Sequence, residues 1–148
     1  MPYIKPATEA LGHIGPAAVP ALIELLKDRD SKVRCNAASA LGHLGPEANT
    51  AIPALTELLR EKDAFVRVFA AGALGGMGPA AGTAVPALTE LLKDTEGLVR
   101  MVTADALGRM GPATRTAVPA LRELLQDADE RIRKAAAEAL EKIERGTK

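Results

Sequence analysis

A 33-residue step runs through this 148-residue chain and constrains its fold more than any other feature. Pro20, Pro53, Pro86 and Pro119 keep that step, as do the pairs Val33-Arg34, Val66-Arg67, Val99-Arg100 and Ile132-Arg133. Leu41, Leu74, Leu107 and Leu140 repeat it a third time. A fixed period of this length is the signature of stacked supersecondary units, none of which can bury its apolar face alone. The segment from Leu11 to Pro16 copies the end of a unit, so a half repeat at 1–16 precedes full repeats at about 17–46, 47–79, 80–112 and 113–145. The whole chain, 1–148, is expected to form one domain.

Each unit reads as two helices. Thr50, Thr83 and Thr116 are placed to cap the first helix, and the proline that follows fits a first turn where its missing N–H is harmless. Leu55, Leu58 and Leu59 continue at helical spacing. Asp30, Asp63, Glu96 and Asp129 are placed to open the second helix, and Gly45-Pro46, Gly78-Pro79 and Gly111-Pro112 to close it. Val33, Ala37, Ala40, Leu41 and Leu44 give that helix its inward face. No segment alternates with period two. With one Tyr, two Phe and no Trp, the core is made of aliphatics and alanine, which suits closely packed helices. The expected fold is all-α: an α-solenoid of four helix hairpins behind a half repeat. Glu141, Lys142, Glu144 and Arg145 give the last helix a polar outer face, a natural cap. The N-terminal end, with Tyr3 in the valine position and Pro6 in the half-helix, reads as an abrupt start or as the edge of a longer array.

The run Pro-Ala-Leu-x-Glu-Leu-Leu, the Asp-x-x-Val-Arg step and the run Ala-Ala-x-Ala-Leu-Gly resemble HEAT-type repeats of the bilin-lyase (phycobilisome-lyase-like) group across residues 7–145. The resemblance implies a HEAT-like solenoid, and it offers as one functional alternative an accessory subunit or fragment of a bilin-lyase-like protein. Fold of this kind does not fix function. Deoxyhypusine hydroxylase is similar in architecture and holds two irons through His-Glu pairs just after the Val-Arg step. Here those places hold Cys35-Asn36, Val68-Phe69, Met101-Val102 and Lys134-Ala135, so that activity is not expected. HEAT-like DNA glycosylases work with aromatic and acidic residues in a basic groove, which a chain without Trp or net charge does not offer.

Composition excludes further classes. Nineteen basic and nineteen acidic residues cancel, so the electrostatic footprint of a general nucleic-acid or anionic-membrane binder is missing. A single Cys permits no internal disulfide and no cysteine zinc cluster. No run approaches the ~18 apolar residues of a membrane span, and Lys5 and Pro6 interrupt the N-terminus where a signal peptide would need an apolar run. A soluble, cytoplasmic, non-catalytic domain without cofactor or metal is expected. His13 and His43 occupy equivalent places but lack a third ligand. Cys35 lies opposite the core by helical phase and reads as a surface thiol, too far from His43 for activation by it. Arg34, Arg67, Arg100 and Arg133, with acids recurring at Asp28, Glu61, Asp94 and Asp127, read as an internal ion-pair ladder. Gly42, Gly75 and Gly108 suggest close backbone approach, although helical phase does not point them at the core.

Constant positions build a stack, and varying ones are free to meet a ligand. At 100° per residue the positions of Lys32, Cys35, Ser39 and His43 lie away from the inward face, with Asn36 at its margin. In the next two units these places hold Phe65, Val68, Phe69, Gly72 and Gly76, then Leu98, Met101, Val102, Asp105 and Arg109. Gly72 and Gly76 are expected to leave a depression beside the two phenylalanines. An apolar centre with a polar rim is the anatomy of a partner surface. The expected function is therefore a scaffold that binds a protein or peptide on the concave face of the second helices, through Phe65, Val68, Phe69, Leu98, Met101, Val102, Asp105 and Arg109. A homodimer through the same patch, and weak nucleic-acid binding through Lys32, Arg109, Arg131, Lys134 and Lys142, are the other expectations.

Overall fold

Proline in the first helical turn and a capping acid before the second helix set the local structure of every unit. The computed structural model describes residues 14–146. The first helices are α1 (Val19–Leu25), α3 (Ile52–Leu58), α5 (Val85–Leu91) and α7 (Val118–Glu123), each with its proline at one of the first two positions. The second helices are α2 (Ser31–Leu44), α4 (Ala64–Gly76), α6 (Gly97–Met110) and α8 (Glu130–Arg145). Asp30, Asp63 and Asp129 accept the N–H of the residue two places on, as N-caps do. Glu96 holds the same place but makes no side-chain cap, its chain being one methylene longer. Gly45 and Gly111 end α2 and α6 at φ 66° and 72°, a region that favours glycine. The half repeat read at 1–16 and His13 fall outside the described residues, apart from residues 14–16.

One expectation about capping is overturned. Thr50, Thr83 and Thr116 cap nothing, because they sit inside 3-10 segments (Gly45–Ala51, Gly78–Ala84 and Gly111–Ala117) that lead directly into the first helices. The α-helices then start from Ala51, Ala84 and Ala117 without a side-chain cap. A preceding helical turn already occupies the N–H groups that a hydroxyl would serve.

The helix pairs stack into an all-α solenoid, as the period implies. Consecutive second helices pack along their length, whereas consecutive first helices scarcely touch and are joined through the 3-10 segments. A closely set row and a splayed row curve the stack with the second helices inside. Glycine sets the close row: a Cβ on Gly42 would stand 2.8 Å from the Cα of Ala73, and one on Gly108 would stand 2.9 Å from the Cα of Ala139. In the last unit this place is taken by Glu141, which is exposed because no further helix lies over it among the described residues.

The core is a single aliphatic cluster, in which Leu22, Leu41, Leu55, Leu74, Leu88, Leu107 and Leu121 are fully buried. Leu44 is only half-buried, while Met77, Met110 and Ile143 at the equivalent place are sealed. The arginine ladder forms between units. Arg67 meets Asp94 through both Nε (2.9 Å) and Nη2 (3.0 Å), and Arg100 meets Asp127 through Nε (2.9 Å). In each unit the Nη1 of the arginine also donates to the carbonyl at the start of its own interhelical loop, as with Arg67 and the Glu61 carbonyl at 2.8 Å. These arginines are consumed by the scaffold.

Candidate functional site

The inner face is built from the first turn, middle and last turn of four neighbouring second helices. Phe65 on α4 and Leu98 on α6 follow their cap positions by two residues and project from the stack, 63% and 45% exposed. Phe69, one turn after Phe65, is 37% exposed. Val68, Met101 and Val102 lie beside them, half-buried against the core cluster. Single exposed apolar residues need no explanation, but three large ones on adjacent helices do.

Beyond Phe69 the face sinks into a depression of about 290 Å³, lined by residues of α2, α4 and α6. Val68, Phe69 and Val102 give it apolar lining, Gly72 and Gly76 line it without side chains, and His43 and Arg109 are polar residues of the lining. Of the eight residues read from the sequence, four line this depression: Val68, Phe69, Val102 and Arg109. Phe65, Leu98, Met101 and Asp105 do not line it. Asp105, exposed, holds Arg109 by an ion pair one turn on, at 3.1 Å from its Nε. The Arg109 Nη2 also donates to the Gly72 carbonyl at 3.2 Å, tying α6 to α4 across the depression. Ser39, Gly42 and Ala73 line it too: the sequence places Ser39 on this face and Gly42 at a close backbone approach, neither as a partner-binding residue, and does not single out Ala73. The 42–73 pairing of small residues was their available signal, legible only once neighbouring second helices are set side by side.

The two glycines differ in what they do. A Cβ on Gly72 would meet nothing nearer than Val102 Cγ1 at 3.9 Å, so its missing side chain leaves open space. A Cβ on Gly76 would fall 2.7 Å from the Gly42 carbonyl oxygen. Gly76 is therefore required by packing, and it is not only a gap in the surface as its phase suggested.

Cys35 corrects another expectation. It is 8% exposed, not a surface thiol, since the flank of α2 turns toward its neighbours in the stack as well as toward its own hairpin. Burial, followed by the nearby Asp63 carboxylate, pushes the thiol above its ordinary value, which disfavours the reactive thiolate. The His43 ring is exposed, with Nδ1 at 2.7 Å from the Ser39 carbonyl. Among the described residues no group of three His, Cys, Asp or Glu side chains converges to hold a metal. Among them, too, no helix is long and apolar enough to cross a membrane.

Known proteins place this architecture. In solved structures the chain is similar to the CpcE–CpcF complex of phycocyanin lyase from Nostoc sp. PCC7120, at 23% identity and a TM-score of 0.78, covering 90% of this chain and 86% of that one. It is similar to a designed armadillo repeat protein in complex with the peptide (KR)4, at 22% identity and a TM-score of 0.75, covering 95% of this chain and 75% of that one. It is also similar to human deoxyhypusine hydroxylase, at 31% identity and a TM-score of 0.67, covering 86% of this chain but 43% of the enzyme. No curated protein matches the chain in sequence. The sequence profile of HEAT repeats matches residues 5–71 and 52–141, and the chain belongs to that family.

Proposed function

We propose that this chain is a non-catalytic scaffold that binds a protein or peptide on the inner face of its second helices. One observation carries the reading: Phe65, Phe69 and Leu98, large and apolar, stand exposed on two adjacent helices, and Phe69 lines a depression. Exposing such a cluster is unfavourable unless something covers it, and aromatic anchors beside a cavity are where interface energy concentrates. The titratable groups support the same reading. The arginine ladder is internal and Cys35 is buried with its thiolate disfavoured. Ser39 and His43 both line the depression, but the His43 Nδ1 faces the Ser39 backbone carbonyl, and among the described residues no hydrogen bond joins the Ser39 hydroxyl to the ring. The likeness to a two-protein lyase complex and to a peptide-bound repeat protein agrees with a macromolecular partner.

The test compares partners retained from a native extract by immobilised wild-type chain, by Phe65→Asp and by Glu57→Arg on the exposed side of α3. A partner kept by Glu57→Arg and lost by Phe65→Asp is expected. The opposite pattern overturns the inner-face reading.

The fold likeness to phycocyanin lyase favours a second reading, an accessory subunit that handles a bilin-bearing protein. Adding free bilin, and separately a bilin-bearing protein, to the chain distinguishes the two. A shifted and sharpened visible absorption band supports the lyase-like role, and an unchanged spectrum removes it.

A further inference from the structure

Side-chain hydrogen bonds tie consecutive units unequally. Between the second and third units, among the described residues, there are three: two from Arg67 to Asp94 and one from Arg109 to the Gly72 carbonyl. Between the third and fourth there are two, both from Arg100 to Asp127. Between the first and second, among the described residues, there is none: Arg34 stands 3.5 Å from Glu61, and its buried Nε has no acceptor. The seam of small residues varies in the same sense. Arg109 brings its Nη2 to 2.9 Å from where a Cβ on Gly75 would stand, and Lys142 its Cδ to 3.6 Å from that on Gly108. Both of those glycines are buried, whereas Gly76 has no side chain to lay over Gly42, which stays partly exposed. At the end of α2, Leu44 is half-buried where Met77, Met110 and Ile143 are sealed.

We propose that the hairpin of α1 and α2 is a hinged unit, which opens from α4 as a body while α3 to α8 stay stacked. In a solenoid each unit is held by its neighbours alone, so the interface with the weakest bonds opens first. The aliphatic core runs through all three interfaces, and the covalent links do not differ either. The 3-10 segment Gly45–Ala51 has counterparts of the same length at Gly78–Ala84 and Gly111–Ala117. The polar bonds therefore make the difference. Ser39, Gly42 and His43 of α2 line the depression together with residues of α4 and α6, so opening carries one side of it away. A molecule seated there favours the closed stack by mass action. The motion itself requires no partner; only its consequence for binding rests on the partner-surface reading above.

Amide hydrogen exchange of the intact chain, read by mass spectrometry over denaturant concentrations below the unfolding transition, tests this. Fragments from the middle of α2 are expected to exchange at least about tenfold faster than those of α6 and α8. Their rate should also depend less steeply on denaturant, as a sub-global opening exposes less surface. Glu61→Asp, which shortens the acid of the loose rung, is expected to slow exchange in α2 about fivefold, the change one satisfied hydrogen bond brings. Protection of α2 equal to that of α6 overturns the proposal. Equally fast exchange in α2 and α8 overturns it too, since opening would then be a property of chain ends. An α2 rate that Glu61→Asp leaves unchanged removes the first rung as the cause, and the hinge with it.

Discussion

Arg34 reaches toward Glu61 at 3.5 Å, too long for a hydrogen bond from its Nε, which is buried without a partner. The two rungs that follow in the same ladder close to 2.9 Å because their acid is aspartate. Aspartate at that place also folds back on the loop: Asp94 accepts the Glu96 N–H and Asp127 the Asp129 N–H, both at 2.9 Å. Glutamate, one methylene longer, makes neither arrangement among the described residues. Glu61→Asp is therefore expected to raise stability by about 1 kcal/mol, the worth of one charge-assisted hydrogen bond satisfied at a buried donor. Chemical denaturation with an unchanged m-value measures it. A midpoint at or below that of the parent shows that the first rung is not limited by chain length.

Glycines on one helix are expected to respond in opposite directions. Alanine at Gly75 drives its Cβ to 2.7 Å from the Ala106 Cα and 2.8 Å from its Cβ, so backbone must move. Gly75→Ala should destabilise by roughly 1–3 kcal/mol, as overpacking does. Gly72→Ala finds room, and should stabilise by about 0.5–1 kcal/mol through reduced freedom of the unfolded chain and better helix propensity. It would also narrow the depression. Thermal melts of the two variants decide the matter, and equal shifts of one sign would show that helix propensity alone governs both sites.

The acid limb of stability should carry the mark of Asp127. The Asp129 N–H, and then the Arg100 guanidinium, hold its carboxyl below the ordinary 3.8. A depressed carboxylate contributes stability that is fully present above its unfolded value and is lost as pH falls through its folded value. Asp127→Asn is thus expected to melt below the parent at pH 7, with the gap closing as pH drops below 3.8. A gap independent of pH would assign the loss to packing and not to the ion pair.

Much of this structure is readable from period and helical phase, because both report how one helix meets one core. Val33, Ala37 and Leu41 are buried where their spacing puts them. The reading fails where a helix has more than one neighbour. Second helices also pack against the second helices before and after them, so Cys35 and Ala38 are covered on flanks that a single-helix projection leaves open. The same geometry explains Gly42, whose phase points to Ala73 of the next unit. The depression was legible in part. Gly72 signals it by lacking a side chain, while the position of Arg109 across it depends on a bond to a backbone carbonyl two turns into another helix, which no residue type announces.

The sharpest separation between scaffold and surface lies in Leu74 and Phe65, nine residues apart on α4. Leu74 is fully buried, and Leu74→Ala is expected to cost about 2–5 kcal/mol through lost transfer energy and the cavity left behind. Phe65 is 63% exposed, so Phe65→Asp removes little buried area. It does place a carboxylate near Asp63, a like-charge contact that solvent screens. The midpoint of Phe65→Asp should therefore stay within about 0.5 kcal/mol of the parent, as surface changes usually do. Its mass in solution should match the parent under light scattering. A shift from dimer to monomer would instead assign the patch to a second copy of the chain. Unfolding as severe as that of Leu74→Ala would mean that Phe65 is sealed in the stack, and the inner face would then lose its principal anchor.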